Sequence, residues 1–202
     1  MTGVGAALNT AAVRPGSSVA VVGCGGVGLN IIQGARIAGA EQIIAVDTSE
    51  EKLATASRFG ATDAVRADLS DPVDQVAVIS SAGQGVDYAF EAVGRSRTIE
   101  QAINMTRRGG TAVIVGAGSL DDVVEQTAFS YVYAARTVIG SCYGSANIDR
   151  DFDMLLRLYQ RGLLDVDSLI SDRITLDDVD DAFARMQAGI GSRSVILFEP
   201  AR

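Results

Sequence analysis

A glycine-rich stretch between two apolar runs constrains the fold of this 202-residue chain more than any other feature. The first run, Val19–Val22, leads into G-C-G-G-V-G at residues 23–28. The residues that follow favour a helix up to Ala38, and a second apolar run, Ile43–Val46, ends at Asp47. The order of strand, glycine turn, helix and strand predicts a βαβ unit.

The spacing of the glycines favours a dinucleotide site in this unit. Gly23, Gly25 and Gly28 satisfy G-x-G-x-x-G, and an acid follows about 20 residues later. Gly23 allows a tight turn, Gly25 carries no Cβ to keep a pyrophosphate from the backbone, and Gly28 lets the helix pack closely on the strand. The helix start offers free N–H groups and a positive dipole end to phosphates. The alternative is that the glycines serve packing alone.

Asp47 predicts which dinucleotide binds. A carboxylate at the end of the second strand can accept hydrogen bonds from a ribose diol. Its charge would repel a 2′-phosphate, and neither Thr48 nor Ser49 is an arginine that could receive one. The sequence therefore favours NAD over NADP.

Composition excludes several classes of partner. The net charge of −8 argues against nucleic acid and anionic membranes. No apolar run reaches the length of a membrane span, and residues 1–12 do not resemble a secretory signal. With two cysteines outside any paired spacing, the chain is expected to be cytoplasmic.

The chain contains no histidine. It therefore has no imidazole for a catalytic triad, a proton relay or a metal site. Cys24 and Cys142 lie far apart in sequence and are interpreted as small packing residues. A self-contained catalytic zinc site is not expected, and no catalytic residue is assigned.

Strand and helix patterns alternate along the first 144 residues, which predicts an α/β fold: a doubly wound parallel sheet (Rossmann fold) of about six strands. The predicted strands are 19–22, 43–46, 64–65, 86–91, 111–115, 123–127 and 136–140, the last two joined by the aromatic segment 129–133. The predicted helices are 3–13, 26–38, 49–58, 71–81 and 98–107, with turns at 83–85 and at Gly109-Gly110. Ser49 is predicted to be the N-cap of the third helix. Ligands bind outside the carboxyl ends of such strands, so Gly23, Asp47, 92–95, 116–118 and 141–143 should line one crevice.

After Gly144 a C-terminal helix-strand appendage is expected. Its predicted elements are a helix at 149–160, a strand at 170–176, a helix at 177–187 and a strand at 194–198. Four aspartates at 177, 178, 180 and 181 are interpreted as a solvated helix start rather than a metal site. The predicted domains are therefore 1–144 and 145–202.

These residues resemble a known family. The segments TGVGAALNTAAVRPGSSVAVVGCGGVG (from Thr2), KLATASRFGATD (from Lys52), VDYAFEAVGR (from Val86), RRGGTAVIVG (from Arg107) and SRSVILFEP (from Ser192) look like zinc-dependent medium-chain alcohol dehydrogenases. The nearest type is class III, which includes formaldehyde dehydrogenase. The resemblance implies an oxidoreductase that transfers hydride between an alcohol or aldehyde and NAD.

The resemblance also implies a missing part. The family's N-terminal GroES-like catalytic domain, which carries the zinc ligands, has no counterpart in this chain, and residues 145–202 match the segment that returns to that domain. The expectation is a truncated protein that binds NAD without turnover, with zinc only in the intact enzyme. A non-catalytic NAD-binding module, such as a redox sensor, or a subunit completed by another chain is the alternative.

Carried over position by position, the resemblance implies a set of cofactor contacts. Gly25, Gly26 and Val27 would face the pyrophosphate, with Arg193 reaching it from the C-terminal segment. Asp47 and Lys52 would hold the adenosine ribose, and Ala92, Val93, Gly94 and Arg95 would border the adenine. Val115, Gly116, Ala117, Ser141, Cys142 and Tyr143 would hold the nicotinamide end through backbone groups, with Thr2 on its face. A surface salt bridge is the alternative for Arg193, and a solvated helix face for Lys52.

Two further expectations concern assembly and competing enzyme classes. The family's dimers, paired near residues 136–140, imply a homo-oligomer (dimer or tetramer), and an open edge is expected near 194–198. No tyrosine is followed four positions later by lysine, as a short-chain dehydrogenase requires. Valines rather than an acid precede Gly23, which disfavours a methyltransferase.

Overall fold

The computed structural model describes residues 1–81 and 83–198, and the chain divides into two compact units, Met1–Leu155 and Leu156–Arg202. The first unit is built on a six-stranded parallel sheet in the order β3-β2-β1-β4-β5-β6. Its strands are β1 (Ser18–Val22), β2 (Gln42–Asp47), β3 (Asp63–Arg66), β4 (Val86–Glu91), β5 (Thr106–Ile114) and β6 (Thr137–Gly140). The predicted doubly wound sheet is confirmed.

Helices precede, connect and follow these strands. They are α1 (Thr2–Gly5), α2 (Gly26–Ile37), α3 (Glu50–Phe59), α4 (Pro72–Ile79), α5 (Ser96–Met105), α6 (Ala128–Ala134) and α7 (Ile148–Gln160). Ser49 caps α3 by accepting a hydrogen bond from the Lys52 N–H at 3.4 Å, and Asp71 caps α4 through the Val73 N–H at 2.9 Å. The cap predicted at Ser49 is confirmed.

The core lies on both faces of the central strands. All five residues of β1 are buried, as are the four apolar residues at the centre of β2. Strands covered on both faces read as continuous apolar runs, which is why Val19–Val22 and Ile43–Val46 show no alternation. One core cluster joins these strands to α4 and α5 through Val76, Ala102 and Met105.

Three predicted elements differ from the structure. Residues 123–127 form no strand: β5 pairs directly with β6, so no position is left between them, and Val123 is exposed. The aromatic segment that follows is the helix α6 rather than a connection between strands. Gly109 and Gly110 lie within β5, where the pairing with β4 shifts register, instead of forming a turn before it.

The N-terminal helix predicted at 3–13 is shorter than expected. It consists of α1 and a π-helical turn at Ala6–Thr10. Ala12 has φ 47°, which lies outside the helical region and ends the segment.

The second unit contains a small parallel pair of strands, β7 (Asp172–Ile174) with β8 (Ser194–Ile196), and the helix α8 (Val179–Gln187). A 3₁₀ turn at Leu176–Asp178 precedes α8. Asp178 accepts hydrogen bonds from the N–H and hydroxyl of Thr175, at 2.9 and 2.7 Å. Thr175 and Asp178 thus form a capping box at the 3₁₀ turn, and the aspartate run lies exposed at a helix start, as predicted. The domain boundary predicted between residues 144 and 145 remains a prediction.

Candidate dinucleotide site

Five neighbouring strands of the first unit end along one edge of the sheet. β1, β2, β4, β5 and β6 end at Val22, Asp47, Glu91, Ile114 and Gly140. β1 lies between β2 and β4. The chain therefore adds β2 and β3 on one side of β1 and then β4, β5 and β6 on its other side. Such a switch point opens a crevice at the carboxyl ends of the strands. The predicted residues at 23–28, 47, 92–95, 115–117 and 141–143 all follow or end these strands.

The glycine loop has the geometry that a phosphate cradle needs. Gly23 has φ 91°, and a Cβ there would lie 2.6 Å from Cγ2 of Val93. At Gly28 a Cβ would overlap the carbonyl oxygen of Gly23. Gly25 is different, because nothing lies within 4 Å of its Cβ position. It is the N-cap of α2 and provides no side-chain cap, so no side chain at this position covers the first N–H groups of α2.

Asp47 is held in place by the backbone around it. Its Oδ2 accepts a hydrogen bond from the Cys24 N–H at 2.8 Å, and its Oδ1 accepts one from the Ser49 N–H at 2.9 Å. Each carboxylate oxygen keeps a further lone pair. The half-buried carboxylate is thus oriented beside the glycine loop and can still accept hydrogen bonds from a diol.

Cys24 lies under this loop as a packing residue. Its side chain is fully buried, with Sγ 3.9 Å from the Val46 carbonyl oxygen. Burial, together with the charge of Asp47, raises the pKa of the Cys24 thiol to about 12, so the thiol is neutral. The charge of Lys52 acts in the opposite direction and lowers this pKa. Cys142 differs from the prediction of a packing role, because it is exposed.

The loops after β4 and β5 pack against each other through their glycines. Gly94 has φ 82°, and a Cβ there would lie 2.6 Å from the Ala117 carbonyl oxygen. A Cβ on Gly116 would lie 2.7 Å from Oε2 of Glu91. No side chain larger than hydrogen fits at either glycine, so the two loops approach each other closely.

Glu91 organises these loops and was missed by the sequence analysis. Its Oε1 accepts hydrogen bonds from the Val93 N–H (2.9 Å), the Gly94 N–H (2.8 Å) and the Thr98 hydroxyl (2.7 Å). Among the described residues its buried Oε2 has no hydrogen-bond partner. The one available signal in the sequence was an acid ending an apolar strand just before Gly94.

The N-terminal segment brings Thr2 to the end of β6. α1 packs on α2, where a Cβ on Gly3 would lie 2.6 Å from Cβ of Asn30. It also packs on Gly144, where a Cβ would lie 2.8 Å from the carbonyl oxygens of Met1 and Thr2. The hydroxyl of Thr10 lies 2.7 Å from that of buried Ser141. Thr2 and residues 141–143 are therefore neighbours in the fold.

Arg193 belongs to the second unit. Its carbonyl oxygen accepts a hydrogen bond from the Ser171 N–H at 2.8 Å, next to β8. It is one of the residues that line an apolar cavity of about 340 Å³ within that unit, with Phe183 and Met186. The pyrophosphate contact assigned to Arg193 stays a prediction.

The residues that the structure describes do not fit a zinc site. Within 1–81 and 83–198, no group of three or more cysteine, histidine, aspartate or glutamate side chains could hold a metal ion. None of the helices in these ranges has the length and apolarity needed to span a bilayer.

Comparison with known proteins agrees with this geometry. Residues 26–161 match the family model described as zinc-binding dehydrogenase. The chain is 36% identical over 199 residues to S-(hydroxymethyl)glutathione dehydrogenase of Synechocystis sp., covering 98% of this chain and 53% of the relative. It spans about half the length of the curated relatives that it matches.

Solved structures give the same result. Benzyl alcohol dehydrogenase from Acinetobacter calcoaceticus superposes with a TM-score of 0.93 at 30% identity, covering 98% of this chain and 54% of that one. A zinc-binding dehydrogenase from Sinorhizobium meliloti 1021, solved with NADP bound, has a TM-score of 0.80 at 30% identity, covering 91% of this chain and 54% of that one. The family resemblance drawn from the sequence is confirmed.

Proposed function

The chain belongs to the family of zinc-binding dehydrogenases, and we propose that residues 1–202 are the NAD-binding part of an alcohol dehydrogenase. Held at this site, NAD⁺ would supply the hydride acceptor for oxidation of an alcohol, and NADH the hydride donor for reduction of an aldehyde. The observation that carries the proposal is the open space at Gly25, flanked by the first N–H groups of α2 and by the oriented carboxylate of Asp47.

The residues of the chain would divide the cofactor between them. The N–H groups at the start of α2 would bind the pyrophosphate, and Asp47 with Lys52 would bind the adenosine ribose. Glu91 would hold the loop of Ala92–Arg95 on the adenine side. Backbone groups of Val115–Ala117 and Ser141–Tyr143, with Thr2, would position the nicotinamide.

Turnover requires groups that these residues do not supply. The chain has no histidine and its two cysteines are Cys24 and Cys142. We therefore propose that the 202-residue chain alone binds NAD(H) but does not oxidise alcohols, and that the zinc of the family's reaction is held elsewhere. Zinc analysis after incubation with the metal and gel filtration should give far less than one ion per chain.

Titration with NADH tests the cofactor site. Binding should raise the NADH fluorescence, and Asp47→Ala should weaken the affinity about 10- to 100-fold, because hydrogen bonds to a charged group are worth about 1.5–3 kcal/mol. Asp74→Ala removes the same charge from an exposed position on α4 and should bind NADH as the wild type does. A folded wild-type chain that binds no NADH would contradict the proposal.

A second candidate shares the same cofactor site. A non-catalytic NAD-binding module, or a subunit completed by another chain, would bind NADH equally well. Co-purification of a separate chain that carries cysteine and histidine ligands would favour the completed subunit, whereas the same ligands encoded in frame with this chain would remove it.

A further inference from the structure

An arginine lies next to Asp47 on the neighbouring strand. β2 and β3 are parallel, and Asp47 is the register partner of Arg66. Register partners on parallel strands direct their side chains to the same face of the sheet. The pairing continues beyond the strands, because the Ala67 N–H donates to the Asp47 carbonyl oxygen at 3.0 Å. The Arg66 guanidinium therefore lies on the face of the sheet where Asp47 would hold the adenosine ribose.

All three nitrogens of this guanidinium are engaged by acids. Nε and Nη2 of Arg66 donate to the two carboxylate oxygens of Asp68 at 2.8 and 2.7 Å. Nη1 lies 3.3 Å from Oε2 of Glu50, the first residue of α3. The bidentate pair with Asp68 is the strong form of this interaction. Arg66 forms these ion pairs rather than one with Asp47.

This arrangement bears on the choice between NAD and NADP. A guanidinium binds phosphate with the same two-pronged geometry that it uses for carboxylate. A free arginine beside the ribose would favour a 2′-phosphate, yet here two carboxylates occupy it and leave a local negative charge. A relative of the same fold binds NADP at 30% identity, so the fold itself does not exclude the phosphorylated cofactor.

We propose that Asp68 and Glu50 are selectivity residues that hold Arg66 away from the 2′ position and so help this site to reject NADP. This inference rests on the proposed NAD-binding function. It adds a second element to the charge of Asp47: one carboxylate repels the phosphate, and two others occupy the cation that would bind it.

The test compares NADH and NADPH titrations of the 202-residue chain. Asp68→Asn combined with Glu50→Gln frees Arg66. The NADPH affinity should then rise about tenfold, because a new charge-assisted hydrogen bond to the 2′-phosphate contributes about that factor. The NADH affinity should change less than about twofold. The matched control is Glu51→Gln with Asp74→Asn, which removes the same charge from exposed positions on α3 and α4. The control should leave the NADPH affinity within about twofold of the wild type.

Arg66→Ala separates release of the arginine from simple loss of charge. In the Asp68→Asn/Glu50→Gln background it should abolish the gain for NADPH, and in the wild type it should leave NADH binding unchanged. A gain that survives Arg66→Ala, or one matched by the control variant, would overturn the inference. If the double variant does not fold by circular dichroism, each single substitution carries the same prediction at smaller size. A wild type that binds neither cofactor would instead contradict the proposed function.

Discussion

The thiol of Cys24 illustrates how its surroundings define one residue. It lies within the glycine loop, where an exposed cysteine beside bound cofactor would be open to oxidation. The structure buries the thiol, and this burial together with the charge of Asp47 raises its pKa to about 12. The prediction that this cysteine is a packing residue agrees with its complete burial.

This pKa predicts a loss of stability in alkali. The pKa of Cys24 is higher in the folded state, about 12, than the ordinary value of 9.0, so its contribution to stability is complete below pH 9. It is lost as the pH rises from 9 toward 12, because the unfolded chain then releases the proton first. The wild type should therefore lose about 1 kcal/mol more unfolding free energy than Cys24→Ala between about pH 8 and pH 10.

Urea unfolding at the two pH values measures this difference. Cys142→Ala, which removes the exposed thiol, is the control and should follow the wild type. The prediction fails if Cys24→Ala shows the same pH dependence as the wild type.

Glu91 shows what a residue type alone does not reveal. An acid at the end of an apolar strand is equally compatible with a solvated strand end and with a buried ligand to the loop. Only the fold places both neighbouring N–H groups, of Val93 and Gly94, within 2.9 Å of Oε1. Gly116 approaches Oε2 of Glu91 because the loop after β5 returns to the end of β4, although the two residues are distant in sequence.

At the scale of elements, the turn from β1 into α2 was predictable because its determinants are local. Strand, glycines and helix are consecutive, and the structure places them at Ser18–Val22 and Gly26–Ile37. The strand predicted at 123–127 was wrong because a short apolar run does not tell whether a neighbouring strand is free to pair. β6 already occupies the edge of β5.

Two glycines of this turn should respond differently to alanine. Gly28→Ala places a methyl group on the Gly23 carbonyl oxygen and should destabilise the fold by about 3 kcal/mol or more. Gly25→Ala meets no protein atom within 4 Å, and its φ of −77° suits alanine, so stability should change by less than about 0.5 kcal/mol.

Gly25→Ala, the substitution that spares stability, should be the one that directly impairs cofactor binding. Gly25→Ala should keep its stability and still weaken NADH binding about tenfold, because the methyl group enters the space assigned to the pyrophosphate. Urea unfolding and NADH titration of both variants measure the two effects. Normal NADH affinity in a folded Gly25→Ala variant would show that the pyrophosphate does not lie there.

At the scale of the molecule, the sheet of the first unit ends at β6, which in the described part of the chain has a neighbouring strand on one side only. Among the described residues, β6 pairs only with β5, and Val138 and Ile139 are exposed on it by 38% and 37%. An edge with apolar side chains and free backbone groups is a template for pairing with a second copy. The oligomer implied by the family resemblance would therefore form through β6.

Light scattering of the purified chain tests this association. The wild type should be a dimer or larger, and Ile139→Lys should shift it toward monomer, because charge on an edge strand opposes pairing. Val78→Lys is the control: Val78 is exposed by 77% on α4, away from the edge, and the variant should remain associated. A wild type that stays monomeric at high concentration, or an equal effect of both substitutions, would contradict the prediction.

The sequence by itself determined the features that depend on neighbouring residues. These are the strand, glycine and helix order around Gly23–Gly28, the acid at the end of the second strand, and the N-cap of α3. Each depends on backbone conformation and hydrogen bonds within a few positions, so consecutive residues suffice to predict them.

The tertiary structure alone decided the features that depend on strand pairing. It set β4 beside β1, buried Glu91 beneath two loops, brought Thr2 to the end of β6 and placed Arg66 beside Asp47. These contacts join residues from 19 to more than 140 positions apart. The physical reason is that pairing order reflects burial of the whole apolar surface, which no local pattern encodes. The same pairing order places Arg66, which is ion-paired with Asp68 and Glu50, next to Asp47, the carboxylate predicted to favour NAD over NADP.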